Sequence, residues 1–171
     1  FLIIFIYLIF KMMPLGKMKA MEQLQKELRE LQIDPLATLG VTVGEVKKGD
    51  VFHWQITMLG PQDTPYAGGL FFLTADFPDD YPNSKPEVRF TNKIYHLNVN
   101  EKNGHVCIST LNNWKKGTTM SEVLSLIFAL FYKENPDDAY DNQKVNLFKN
   151  DRAKFDANVR EWTKKYAPLN E

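Results

Sequence analysis

Apolar residues recur at steps of three and four through Met18, Met21, Leu24, Leu28 and Leu31, which puts them on one face of a helix ending before Asp34-Pro35. That stripe reads as core. Val41 to Val46, Val51 to Leu59 and Leu70 to Ala75 read as three strands, separated by Lys47-Lys48-Gly49-Asp50 and by the Gly/Pro-rich run from Gly60 to Gly69. Connections this short predict an antiparallel meander. Glu87 to Phe90 predicts a fourth short strand, after Tyr81-Pro82-Asn83-Ser84-Lys85-Pro86, where two prolines discourage regular structure. Residues 91–118 show no sustained period, and a connection of that length inside a compact domain is usually functional. Thr119 and Glu122 then stand at capping-box spacing, and Val123 to Phe131 is apolar nearly all round, as for a helix buried in the middle of the domain. Asn135-Pro136-Asp137-Asp138 stops it. Helices follow around 141–149 and 151–166, the second with Phe155, Val159, Trp162 and Tyr166 at helical steps. The order predicts an α+β domain: an N-terminal helix, an antiparallel four-stranded meander sheet, an irregular stretch, a central buried helix and two C-terminal helices, with the helices packed on one face of the sheet.

Composition narrows the class. A chain of 171 residues, 44% hydrophobic and 25% charged, suits one globular domain that needs no metal or disulfide framework. Its 21 basic residues balance 21 acidic ones, so no domain-wide positive field draws it to nucleic acid or anionic lipid. The single cysteine excludes an internal disulfide and suits a reducing compartment, cytosol or nucleus. Phe1 to Phe10 are all apolar and Lys11 ends the run. A ten-residue helix rises only about 15 Å against a hydrocarbon core of ~30 Å, and neither a leading basic region nor a small-residue cleavage site marks a secretory signal. Residues 1–11 are therefore expected to be an extension outside the domain, which spans residues 12–171. The competing reading is a hydrophobic anchor or docking peptide. No Gly-rich phosphate loop is present, so no nucleotide cofactor is expected.

The irregular stretch holds Tyr95-His96-Leu97-Asn98-Val99 and, beyond it, Gly104-His105-Val106-Cys107-Ile108. A lone cysteine is most often a small buried hydrophobe, but a loop setting favours a reactive thiol, which needs access. His96 and His105 would suit a Cys–His hydrolase, although nothing local matches a protease signature. Alternation along an extended segment would place His105 on the same side as Cys107.

Phe52-His53-Trp54, Gly60-Pro61, Pro65-Tyr66-Ala67-Gly68-Gly69, Phe77-Pro78-Asp79-Asp80-Tyr81-Pro82, Tyr95-His96-Leu97-Asn98, Cys107 and Asn135-Pro136-Asp137-Asp138 stand in the order and near the spacing of the ubiquitin-conjugating enzyme family. The chain resembles that family over about residues 18–167, and most of all its branch that carries ubiquitin itself; SUMO carriers are next. The resemblance implies that Cys107 accepts the modifier's C-terminal carboxyl from an activating enzyme by thioester exchange and passes it to a lysine amine, normally with a ligase. It implies that Asn98 stabilises the tetrahedral oxyanion or holds the active-site loop, that His96 is structural, and that Asp138 at the mouth of the site orients the lysine and helps remove its proton. ATP belongs to the upstream enzyme, and no metal is implied. A relative without activity would instead bind and present ubiquitin, but such variants lack the cysteine.

Departures from the family pattern matter too. Leu97 stands in place of the proline of the His-Pro-Asn motif, which leaves the turn freer. Ser109 stands where many ubiquitin carriers have aspartate. The chain is one residue short between Cys107 and Trp114, and a few residues long around Val43 to Asp50. On the first helix, Glu22 and Gln23 replace basic residues that meet the activating enzyme and the ligase, with Lys19 and Lys26 nearby. Asn83 replaces a phenylalanine that HECT-type ligases favour, and Lys116-Gly117 replace a common Pro-Ala pair, so RING-type ligases are the better fit.

Overall fold

The computed structural model describes residues 13–33 and 35–169. The apolar segment 1–11 and the helix stop at Asp34 lie outside them. The first helix, α1, runs Leu15–Gln32 and buries Ala20, Leu24, Glu27, Leu28 and Leu31, while Met18 and Met21 are half-buried. The apolar stripe thus holds, with one polar addition. The Glu27 carboxyl accepts the Tyr81 hydroxyl at 2.9 and 3.0 Å, the Met120 N–H at 2.8 Å and the Gln23 side-chain amide at 2.7 Å. Burial, and then Glu27 itself, hold the Tyr81 hydroxyl far above the ordinary tyrosine range, so it stays a donor. Because Met120 opens a later helix, Glu27 also meets one of that helix's free N–H groups.

Four strands form one antiparallel sheet in the order β1 (Val41–Glu45), β2 (His53–Leu59), β3 (Leu70–Asp76) and β4 (Glu87–Phe90). In register, Val41 faces Met58, Ile56 faces Leu73 and Leu73 faces Phe90. Trp54, Ile56, Met58, Phe71, Leu73, Ala75, Val88 and Phe90 are buried at alternate positions, as one pleated face requires. The strands agree with the meander predicted from sequence, except that Val51 and Phe52 precede β2.

A short helix, α2 (Ser109–Asn112), lies inside the stretch expected to be irregular. The central helix α3 (Met120–Leu130) opens on the full capping box: Thr119 accepts the Glu122 N–H and Glu122 accepts the Thr119 N–H. Met120, Val123, Leu124, Ile127 and Phe128 are buried, but Leu126 is 42% exposed, so the helix is not buried all round. It also ends before Asn135, which instead caps a 3-10 turn over Pro136–Asp138. Helices α4 (Asn142–Asn150) and α5 (Arg152–Tyr166) follow, capped by Asp141 and Asp151. α5 buries Phe155, Val159 and Thr163, with Trp162 and Tyr166 half-buried. The rings of Tyr66, Phe71 and Phe131 meet at 5.0–6.0 Å, and that of Tyr66 also meets His96 at 5.7 Å. Among the described residues, no helix is long and apolar enough to cross a membrane.

Candidate active site

Residues 98–107 form a small hairpin. Val99 bridges Val106, the Asn100 N–H meets the His105 carbonyl at 2.9 Å, and the Cys107 N–H meets the Asn98 carbonyl at 2.8 Å. Gly104 makes the turn with φ +72°, where an L side chain is strained, and a Cβ there would overlap the Phe90 carbonyl. The Phe90 N–H donates to the Gly104 carbonyl at 2.8 Å and Arg89 bridges His105, so the hairpin is fastened to β4. Asn103-Gly104 between two valines was the available sequence signal, but arms this short give no periodic pattern.

The hairpin fixes Cys107 opposite Asn98. Val99 and Val106 are buried, while alternation leaves His105 and Cys107 half-buried. The Asn112 side-chain amide, from α2, donates to Cys107 Sγ at 3.4 Å. Across the mouth, His105 Nδ1 and the Tyr140 hydroxyl are hydrogen-bonded at 2.6 Å. Burial, and then Cys107, push the Tyr140 hydroxyl pKa up.

Beneath this lip lies a closed polar floor. Asn98 is fully buried: its Nδ2 donates to the Asn135 carbonyl at 2.7 Å and its Oδ1 accepts the Asn135 N–H at 2.9 Å. Asn135 Nδ2 continues to Asp138 Oδ2 at 2.9 Å, so the structure links Asn98 to Asp138 through Asn135. His96 is buried, with Nδ1 accepting the Asn98 N–H at 2.9 Å and Nε2–H donating to the Leu130 carbonyl at 3.2 Å. That pair of bonds fixes the neutral ring. Burial is the main cause of its lowered pKa, with Lys144 acting in the same direction and Glu134 and the Leu130 carbonyl against it.

Leu97 is held on every side. Its side chain has no exposure, its N–H reaches Glu134 Oε2 at 3.4 Å, and its carbonyl accepts the Tyr140 N–H at 3.1 Å. The freedom expected of a leucine here is taken up by these contacts, the first of which proline cannot make. Glu134, itself buried, also accepts the Tyr66 hydroxyl, whose pKa is raised first by burial and then by Glu134. Buried Lys144 reaches Glu101 at 3.0 Å and lies over the Tyr95 ring at 4.5 Å, pinning the hairpin turn to α4. Ser109 is exposed at the start of α2, and its carbonyl accepts the Asn113 N–H at 2.8 Å. Glu134 and Tyr140 were not marked by the sequence, because their contacts join residues that no local pattern relates, and Asn112 was not because no repeat marks so short a helix; Asn135 stood out only within its motif.

The residues expected to meet partners lie on α1 and in the segments around Asn83 and Lys116. Lys19, Glu22, Lys26, Asn83, Lys116 and Gly117 are exposed, and Gln23 is half-buried against Glu27. Glu27 joins α1 to Tyr81 and Met120, and Trp114 Nε1 donates to the Pro82 carbonyl at 2.9 Å, so the three segments bearing these residues pack together. Among the described residues, no group of three or more His, Cys, Asp and Glu side chains is placed to hold a metal.

The family model for ubiquitin-conjugating enzymes matches residues 23–163. The fold is similar to the crystal structure of "a putative ubiquitin conjugating enzyme from Plasmodium yoelii", with a TM-score of 0.78 and 31% sequence identity over 89% of this chain and 97% of that one. The matched region takes in α1 from Gln23, the whole sheet, the Cys107 hairpin and nearly all of α5, and the chain belongs to the ubiquitin-conjugating enzyme family.

Proposed function

We propose that Cys107 carries ubiquitin, or a close relative such as SUMO, as a thioester and delivers it to a lysine amine. The observation behind this reading is a half-exposed thiol fixed opposite Asn98 by the 98–107 hairpin, with an amide donor on its sulfur. Cys107 thiolate attacks the thioester carbonyl presented by the activating enzyme, and the upstream sulfur leaves. A lysine amine then attacks the new carbonyl: a C–N bond forms, the C–S bond breaks, the electron pair returns to Sγ and the amine proton goes to a base. Asp138 is proposed as that base, through the carboxyl oxygen that Asn135 does not occupy. Asn98 acts chiefly by tying the hairpin to Asn135, and its second amide hydrogen is proposed as a donor to the oxyanion. ATP is consumed upstream, and the reducing cytosol or nucleus is the proposed setting. Asn83 in an exposed loop favours RING-type over HECT-type ligases, and Asn83→Phe should recover HECT transfer in part.

The test is incubation with activating enzyme, ATP and ubiquitin, read on non-reducing gels. Wild type should show a thiol-sensitive adduct, Cys107→Ser a slower thiol-resistant one, and Cys107→Ala none. A normal adduct on the alanine variant, or none on wild type with any modifier tried, would overturn this reading.

A further inference from the structure

Two side-chain amides approach the reacting centre, and they are placed for different work. Asn98 is closed on the Asn135 backbone at both ends. Asn112 is exposed, and the contact of its Nδ2 is with Cys107 Sγ at 3.4 Å, an ordinary N–H to sulfur separation. The Cys107 backbone N–H is spent on the Asn98 carbonyl and does not serve the sulfur. α2 holds Asn112 in place: the Asn112 N–H donates to the Ile108 carbonyl at 3.1 Å, one residue past the cysteine, and Leu111 is buried beneath.

We infer that Asn112 is a catalytic residue, the side-chain donor that stabilises negative charge on Cys107 Sγ. The thiolate is the attacking species in the first transfer and the leaving group in the second, so a donor at sulfur acts on both. When the amine attacks, the electron pair of the breaking C–S bond returns to a sulfur that already has a hydrogen-bond donor, while the amine proton goes elsewhere. Asn112 neither gains nor loses a proton. Because the contact is exposed to water, its effect should be modest, about threefold to tenfold and not the hundredfold of a buried donor. This deepens the thioester reading above, and rests on it for the transfer steps alone.

Cys107 is the sole cysteine, so alkylation by iodoacetamide reads this sulfur directly and without ubiquitin. The full chain is compared with Asn112→Ala and Asn112→Asp at one pH, following the mass shift with time and the melting temperature of each. The alanine variant should react about threefold to tenfold more slowly, and the aspartate variant more slowly still. Aspartate keeps the shape, removes the donor and adds repulsion. Melting temperatures should agree, since Asn112 is exposed. Equal alkylation rates, or aspartate reacting as fast as wild type, would overturn the assignment. Discharge of the ubiquitin thioester to free lysine should fall in the same order. If wild type takes no modifier while alkylation keeps the predicted order, the proposed function fails and Asn112 stands. If charging is normal and alkylation is flat, Asn112 fails and the function stands.

Discussion

One histidine precedes the hairpin that holds Cys107 and another lies within it, and their surroundings divide the site in two. His96 lies in the floor, where Nδ1 must accept the Asn98 N–H, a donor that cannot reverse. His105 lies on the lip, where its partner is the Tyr140 hydroxyl, which can give or receive the hydrogen. Protonation therefore breaks a contact in the floor and merely turns one round on the lip. Floor and lip differ in the same way throughout. Among the described residues, no buried side-chain nitrogen or oxygen lacks a hydrogen-bond partner, and the floor meets that condition with fixed backbone groups of Asn98, Leu97, Leu130 and Asn135. The lip meets water. Floor substitutions should consequently be read in stability whatever they do to rate, and lip substitutions in reaction rate alone.

The largest effect should come from Asn98→Ala. It removes two bonds, strands the Asn135 N–H in a partly buried place and leaves the Asn135 carbonyl with the Asp138 N–H at 3.3 Å. At about 1–3 kcal/mol for the unsatisfied N–H and about 0.5–1.5 kcal/mol for the bond lost at the carbonyl, the loss should be about 3 kcal/mol, or roughly 6–12 °C in Tm for a domain of this size. Urea unfolding and calorimetry measure it. Below the melting range, charging should be near normal and discharge to lysine ~10²-fold slower. An unchanged unfolding midpoint would mean that the floor does not hold the loop.

Leu97→Pro comes next and sharpens the same point. By the family motif it is a return to the common residue, and a proline that fits its site stabilises by about 0.4–1 kcal/mol through the unfolded chain. Here it also removes the donor to Glu134 and replaces a fully buried leucine with a smaller ring. The net expectation is a loss of about 2 kcal/mol. A rise in Tm would show that the Glu134 contact contributes nothing.

The contrast also explains what the sequence disclosed. Long periodic elements such as α1, α5 and the strands were legible because burial on one face imposes a repeat, and Thr119-x-x-Glu122 marked its helix start by local chemistry. Glu27 and Glu134 were not, because a buried carboxyl contradicts the apolar pattern and is made tolerable by donors from far along the chain, Tyr81 and Met120 at Glu27 and Tyr66 and Leu97 at Glu134. The hairpin was hidden by its short arms and α2 by its four residues. The loop setting of Cys107 favoured a reactive thiol, but resemblance decided it, since nothing in its immediate neighbours separates a nucleophile from a buried thiol.

Acid should separate the two histidines. His96 has a folded pKa below its ordinary 6.5, so neutral His96 contributes stability that is fully present above 6.5 and is lost as pH falls from there through the lowered value. Glu134 opposes that shift and Lys144 adds to it. Melting temperatures of wild type, His96→Gln and His105→Gln across pH 5–8 give the comparison. The fall below pH 6.5 should flatten in His96→Gln and persist in His105→Gln. The reverse pattern would exchange floor and lip.

The smallest effect should be that of Tyr140→Phe. The substitution takes away one hydroxyl and leaves the backbone N–H on the Leu97 carbonyl, so the floor is untouched. Tyr140 is 43% exposed, and its bond to His105 competes with water, so stability should stay within about 0.5 kcal/mol. The sulfur should respond differently. While His105 Nδ1 accepts the hydroxyl proton, Tyr140 turns oxygen lone pairs, not a donor, to its remaining surroundings, and these disfavour charge on a nearby thiolate. Removing the hydroxyl should therefore leave Cys107 alkylation unchanged or raise it by no more than about twofold, against the slowing expected of Asn112→Ala. A clear slowing in Tyr140→Phe would make the hydroxyl a donor to the sulfur alongside Asn112, and a drop in Tm comparable to that of Leu97→Pro would make the lip part of the floor.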